Sequence, residues 1–419
     1  MAAFSPPPGT ADIFPAEAGS WRFLENTAAK VFSAYGYGEL RTPVFEYTEV
    51  FQRGLGGETE VVQKEMYTFE DRGGRSLTLR PEGTAGVMRA LTNTDVANGS
   101  EQRVFYYGPM FRGERPSAGR RRQFHQIGVE NVGRCAPLID AECIAMLHNY
   151  LRAIGITGAV FTVNTRGVMD DRPPAEAMLR EYFSRHIDAM CPDCRTRLDR
   201  NIWRILDCKQ EACGRIIAEA PDYSQCFSAA SREYFAAVQE ALTRLGVPFR
   251  VDSRLVRGLD YYVHTVFEVT HPGLGGQIAI AGGGRYELFL PGEKKPLPGV
   301  GFAAGVERLL MVREALGVPA PSAAAAGVFL VGLDAASRMA NLVLADRLRA
   351  AGIRVELELE ERSFKSQMRS ANRCGAVCAL IRGESETARG VAILKNMADG
   401  AQIEVPENRL FDAISERMA

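Results

Sequence analysis

Hydrophobic and polar positions change their rhythm near residue 320, and the change divides the chain. Beyond it GVFLVGL is a continuous apolar run, ASRMANLVLADRLRAAG repeats apolar residues at helical spacing, and IRVELELE alternates apolar and acidic positions at period 2. SFKSQMRSANRCG reads as a helix, AVCALIRG as a buried strand, and VAILKNM and AQIEV as two more short strands. Strands and helices in alternation predict an α/β layer with a mainly parallel sheet over residues 327–419.

The earlier residues follow another pattern. ELRTPVFEYTEVF, RSLTLRP, RVFYYGPMFRGE, RQFHQIGVE and DYYVHTVFEVT are aromatic or β-branched strand candidates, several with no crossover helix between them. They predict a mixed or mostly antiparallel sheet with flanking helices over residues 1–320. Residues 170–232 interrupt this region with helical, cysteine-bearing sequence, which suits an insertion. Two linker-like segments, PGEKKPLPG at 291–299 and PAPSAAAAG at 319–327, punctuate the chain, and the second reads as a domain boundary.

Composition narrows the class. A chain of 419 residues suggests two or three domains at roughly 150 residues each. With 46% hydrophobic and 24% charged residues it falls in the globular range, away from disordered, collagen-like or membrane-spanning chains. The longest apolar stretch, Ala323 to Leu333, has 11 residues, against the ~18 or more that a membrane helix needs. The start, MAAFSPPPGTADIFPAE, has no basic leader and no apolar h-region, so a cytoplasmic protein is expected. Nine cysteines, an odd number spread over a long chain, fit a reducing compartment better than a disulfide scaffold. The formal charge of −1 leaves no global basic field for nucleic acid, so any such contact is local. Only seven of the 50 basic residues are lysines, so a single arginine carries little information.

Five segments could carry chemistry. FRGERPSAGRRRQFHQIGVE (111–130) holds five arginines between Arg112 and Arg122 around a Pro-Ser-Ala-Gly turn. Such forks suit phosphate or carboxylate, and equally suit a solvated hairpin tip. The strand after the loop adds a distinction, because period 2 puts Phe124, Gln126, Gly128 and Glu130 on one face, with room for a small polar ligand. LVRGLDYYVHTVFE (255–268) packs Arg257, Asp260, Tyr261 and Tyr262 closely, although paired tyrosines are also ordinary core. IAIAGGGRY (278–286) places three glycines after a strand, for close ligand approach or a tight turn. GVGFAAGVERLLMVREAL (299–316) matches G-x-G-x-x-A, but no strand precedes it and no acidic residue lies near 320, so a dinucleotide fold is rejected. It reads better as a glycine-rich strand before a helix starting near Val306, with Arg308 in the first turn. A cation there opposes the helix dipole and calls for an anionic partner, either a Glu307-like neighbour or a phosphate. LTLRPEGTAG (77–86) is by itself a helix start.

Neither a Walker A nor an HExxH motif occurs. Cys191, Cys194, Cys208 and Cys213 form C-x2-C-x13-C-x4-C, which suits four thiolates on a structural Zn2+ or a set of reduced cysteines in a helical insertion.

In this order the segments resemble the histidyl-tRNA synthetase family of class II aminoacyl-tRNA synthetases. The class marks are Pro43 in ELRTPVFE (motif 1), FRGE with RQFHQIGVE (motif 2) and GVGFAAGVERL (motif 3), and the family marks are LVRGLDYY and AGGGRY. The resemblance runs from PPPGTADIFP to the α/β domain. It implies an α+β catalytic core with a six-stranded antiparallel sheet, a helical insertion, a C-terminal α/β anticodon-binding domain over 327–419, and a homodimer formed through motif 1.

It also implies ATP and Mg2+-dependent adenylation of L-histidine and transfer to the terminal adenosine of tRNA(His). Arg112 then grips the α-phosphate and Glu114 lies near adenine or Mg2+, while Arg308 and Arg120 hold the phosphate tail. Arg257 stabilises charge as the carboxylate attacks. Glu82, Gly83, Thr84, Gln126 and Tyr261 bind histidine, with Glu130 and Tyr262 on its ring. Gly113, Ser117 and Arg121 stand where a histidine, a glutamine and a tyrosine are common in the family. A non-catalytic paralogue that regulates ATP phosphoribosyltransferase typically lacks the Arg-Gly-Leu-Asp-Tyr-Tyr segment and the C-terminal domain, both present here.

Overall fold

A computed structural model describes residues 5–55, 61–117, 119–257, 261–275, 278–289, 296–320 and 327–418. Gly258, Leu259 and Asp260 of LVRGLDYY, and most of the two linker segments, lie outside the described residues. The chain falls into two compact units, Met1–Pro321 and Ser322–Ala419.

The first unit is built on an eight-stranded mixed sheet, and the expected six-stranded antiparallel sheet is corrected accordingly. Six strands do run antiparallel in its middle: Gln102–Phe111, Gln123–Val132, Leu297–Gly305, Ala279–Leu288, Tyr262–Thr270 and Val160–Thr165, in that spatial order. Gly38–Glu39 and Phe249–Val251 then add parallel strands at the two edges. Edge strands of two and three residues are too short to leave a periodic signal, which is why the pattern missed them.

Helices cover one face of this sheet. In Pro15–Ala34 the buried residues Trp21, Leu24, Ala28 and Phe32 recur at three- and four-residue steps, and proline starts the helix where its missing N–H costs nothing. Pro137–Ala153 packs beside it and Ala229–Arg244 packs on Pro137–Ala153 in turn, and Ile127, Val129, Val300 and Phe302 of the sheet join their core. A fully buried pair fastens helix to sheet. Arg285 donates from Nε to Asp140 Oδ1 at 2.7 Å, while Thr265 and Tyr234 donate hydroxyls to Asp140 Oδ2 at 2.6 and 3.1 Å. Opposite charge and hydrogen bonds to both Asp140 oxygens are what make such burial tolerable.

A separate three-stranded sheet holds Phe45–Tyr47, Ser76–Leu79 and Thr68–Glu70. Between Val160–Thr165 and Phe249–Val251 the chain forms the helices Arg172–His186, Pro192–Arg200 and Glu211–Ala218, which close a hydrophobic cluster of their own. The three glycines of AGGGRY, expected after a strand, lie inside the Ala279–Leu288 strand instead.

The second unit has a five-stranded sheet. Val328–Gly332 pairs in parallel with Val355–Leu357 and Cys378–Arg382, but Val391–Asn396 and Gln402–Pro406 add antiparallel strands. The mainly parallel sheet expected is therefore a mixed one. A short turn joins those last two strands, and a turn of that length permits only antiparallel pairing. Asp334 and Ser363 cap the helices Ala335–Ala350 and Phe364–Arg373 by accepting from backbone N–H groups.

Candidate active site

The sheet face away from the helices carries two confluent cavities. Register brings their walls together. Glu130 lies opposite Gly301, Gln126 opposite Gly305, and Gly282 opposite Ala303, so alternation turns all six toward the same side.

One cavity collects cations. Arg112, Arg120, Arg257 and Arg308 line it together with Glu114. Arg112 is held by a bond from Nε to the Pro81 carbonyl at 3.0 Å and lies over the Phe124 ring. Arg308 stands in the first turn of the helix Val306–Ala315, donating to the Gly119 and Ala279 carbonyls at 2.9 and 2.5 Å. The glutamate next to Arg308 is engaged elsewhere. Glu307 accepts from the His125 backbone N–H and faces its Nδ1 at 3.0 Å. Burial lowers the Arg308 pKa first, and repulsion from Arg120, Arg112 and Arg257 contributes to the same direction. Such a cluster is built for a polyanion.

The other cavity collects carboxyls and phenols: Glu82, Glu130, Tyr106, Tyr261, Tyr262 and Tyr286. Glu82 accepts from the Thr84 and Ala85 N–H groups at 2.7 and 2.8 Å, which caps the helix Thr84–Leu91 from the preceding turn. Burial raises its pKa against the pull of those bonds. Glu130 accepts from the Thr84 hydroxyl and the Tyr286 hydroxyl, both at 2.7 Å. Burial pushes its pKa up to about 8 despite them, so it holds its proton at neutral pH.

Arg112, Gln126, Arg257, Gly282 and Ala303 belong to both cavities and form their junction. Gln126 Oε1 is buried there with no hydrogen-bond partner among the described residues, an acceptor left for a ligand. Arg257 pairs with Glu268 at 2.7 Å and lies flat on the strand at Gly282, where an added Cβ would come within 2.6 Å of its Nη1. At Gly301 a Cβ would meet Glu130 Oε2 at 2.1 Å, so that glycine gives the carboxyl its place.

The residues singled out in the sequence thus gather on these walls, Glu82, Thr84 and Tyr261 included. Gly83 is the exception: it is the residue before the helix Thr84–Leu91 and packs on Tyr106 instead of lining a cavity. Three contributors were not singled out: Tyr106, Tyr286 and Glu268. Tyr286 was within reach, since period 2 from Gly282 through Gly284 arrives at it on the cavity face. The cysteine quartet lies elsewhere, among the short helices of 170–232. The sulfurs of Cys191, Cys194, Cys208 and Cys213 are all within 4.8 Å of one another.

Comparison with known proteins bears on both units. The family model for histidyl-tRNA synthetase matches residues 9–182 and 195–309, and that for an anticodon binding domain matches 328–417. A histidine–tRNA ligase of Halothermothrix orenii is 46% identical over 98% of each chain. One of Solidesulfovibrio magneticus is 47% identical over 96% of this chain and 95% of its own. The crystal structure of the apo histidyl-tRNA synthetase of S. aureus superposes with a TM-score of 0.83 at 33% identity, covering 98% of this chain and 100% of that one.

Proposed function

This chain belongs to the histidyl-tRNA synthetase family and catalyses the ATP-dependent joining of histidine to tRNA(His), and from that premise we propose how its cavities divide the work. The observation that carries the reading is the junction, where a cation chamber meets a carboxyl and phenol chamber at Arg112, Gln126 and Arg257. Adenylation joins a carboxylate to an α-phosphate. Such a junction suits the point of attack.

The triphosphate occupies the cation chamber, with Arg112 on the α-phosphate and Arg308 and Arg120 on the tail that departs as pyrophosphate. Histidine occupies the other chamber. Glu82, the Thr84 hydroxyl and Gln126 hold its ammonium and carboxylate, and Glu130 and Tyr262 meet the two ring nitrogens, with Tyr261 alongside. A substrate lacking those nitrogens would leave buried polar groups unpaired, a large penalty. As the carboxylate attacks, charge grows on the α-phosphate oxygens, where the fixed guanidinium of Arg257 stabilises it. Synthetases use Mg2+ with ATP, and the ion supplies positive charge to the phosphates. Glu114, which faces Arg120 at 3.4 Å on the chamber wall, would stand near adenine or hold the ion, and Glu307 is taken up by His125. In the second step a hydroxyl of the terminal adenosine displaces AMP, with the C-terminal unit engaging the anticodon.

A metal held by the cysteine quartet would be structural, because a closed thiolate shell leaves no position for substrate. A homodimer is supported by the three-stranded sheet, which exposes Phe45, Tyr47 and Phe69 on one small surface. Sedimentation of the purified protein tests this, and a monomer at micromolar concentration would exclude it. No helix among the described residues is long and apolar enough to cross a membrane, and a cytoplasmic location agrees with that.

Histidine-dependent pyrophosphate exchange into ATP tests the division of the chambers. Arg308→Ala should raise KM for ATP and leave that for histidine near its original value, and Tyr262→Phe should do the reverse. Equal rises for both substrates in both variants would reject the division.

A further inference from the structure

We infer that Cys191, Cys194, Cys208 and Cys213 hold one zinc ion, and that this ion fixes the chain segment carrying Arg257. The first half stands on geometry. Four thiolates around zinc, with bonds of ~2.3 Å at tetrahedral angles, are separated by roughly 3.8 Å. Cys191 Sγ and Cys208 Sγ are 3.8 Å apart, and all four sulfurs fall within 4.8 Å of one another. None is in a disulfide. The Cys191 backbone N–H donates to Cys213 Sγ at 3.2 Å, a bond that supports a sulfur carrying negative charge.

The quartet also ties together the short helices that close this cluster. Cys191 precedes the helix Pro192–Arg200 and Cys194 lies in its first turn, while Cys213 lies in the first turn of Glu211–Ala218. Helices of nine and eight residues are marginal alone. A closed sulfur shell would add a fixed constraint to their packing.

The second half follows the packing outward. Cys194 and Cys213 are fully buried in a cluster with Trp203 and Tyr223, and that cluster includes Val256, the residue before Arg257. Asn164 Nδ2 lies 2.8 Å from the Tyr223 hydroxyl and 3.0 and 2.9 Å from the Ser253 and Leu255 carbonyls. The insertion and the segment 253–256 therefore share one set of contacts. Arg257 begins where that set ends. This half rests on the reading that Arg257 acts in adenylation, whereas the zinc does not.

The test uses the full-length protein purified without chelator. Elemental analysis should find one zinc per chain, and a mercurial reagent should release it as four thiols react. Metal-free protein with four freely reactive thiols, a disulfide within the quartet, or iron in place of zinc would overturn the metal assignment. For the link, Val256→Ala should keep its zinc while the rate of histidine-dependent exchange falls at least fivefold, with faster deuterium uptake at 253–257. Cys208→Ser should lose the zinc and show both effects more strongly. Zinc present, with exchange rate and deuterium uptake unaltered in Val256→Ala, would overturn the link alone. Should Arg257→Ala itself exchange at the unsubstituted rate, the failure would belong to the adenylation reading and not to the metal.

Discussion

Arg257 is paired with Glu268 on one side and lies against the bare backbone of Gly282 on the other, so its guanidinium is set before substrate arrives. A pre-set charge acts on the transition state more than on binding. Arg257→Ala should therefore slow adenylate formation ~100-fold or more, within the range seen for removing one fixed donor, while histidine affinity changes only a fewfold. Single-turnover adenylation beside equilibrium histidine binding checks this, and equal losses would remove Arg257 from the transition state. Glu130 makes a different prediction. Its folded pKa of about 8 lies above the ordinary carboxyl value of 4.5, so the folded protein favours the protonated form. The stability this gives is complete below the ordinary value and is lost as pH rises through about 8. Glu130→Gln, which cannot ionise, should gain on the unsubstituted protein as pH climbs across that window and then level off. Denaturant midpoints from pH 5 to 9 measure it, and a difference independent of pH would show that Glu130 is not buried as a neutral acid.

Strands, more than loops, make the cavity floor, and glycine is what lets them. An added Cβ at Gly282 meets the far end of a flexible arginine, whereas one at Gly301 also meets the Val129 carbonyl at 2.4 Å, which cannot yield. Gly282→Ala should therefore melt near the original temperature yet adenylate poorly, while Gly301→Ala should lose about 1–3 kcal/mol of stability. Thermal denaturation and exchange assays on both variants separate the two, and equal melting losses would contradict the geometry. These strands also show what a sequence reveals. Phe124, Gln126 and Glu130 were assigned to one face by alternation alone and do line the cavities together. The helix at Val306 was legible because a glycine-rich strand changes abruptly to helical spacing. Three things were not legible: the edge strands Gly38–Glu39 and Phe249–Val251, the placing of three glycines within a strand, and the turning of Glu307 toward His125. Each depends on a neighbour remote in the chain, and local periodicity carries no record of such neighbours.

At the scale of the whole molecule, the two units close separate hydrophobic cores, Val328, Leu344 and Leu380 belonging to one and Leu24, Ile144 and Phe302 to the other. Ending the chain after residue 320 should therefore leave histidine-dependent pyrophosphate exchange within a fewfold of the full-length rate and lower tRNA charging by ~100-fold or more, as expected when one of two linked contacts is lost. Exchange and charging assays on the same preparation decide it, and loss of exchange would mean that the first unit does not stand alone. The five arginines around the cation chamber have a further consequence. Repulsion of Arg308 by Arg120, Arg112 and Arg257 is a frustration held in the resting protein and relieved by the phosphates of its substrate. The robustness of the resting enzyme then becomes a property of its surroundings as well as of its fold: sulfate or pyrophosphate in the buffer should toughen it, and dilution into water should expose its weakness.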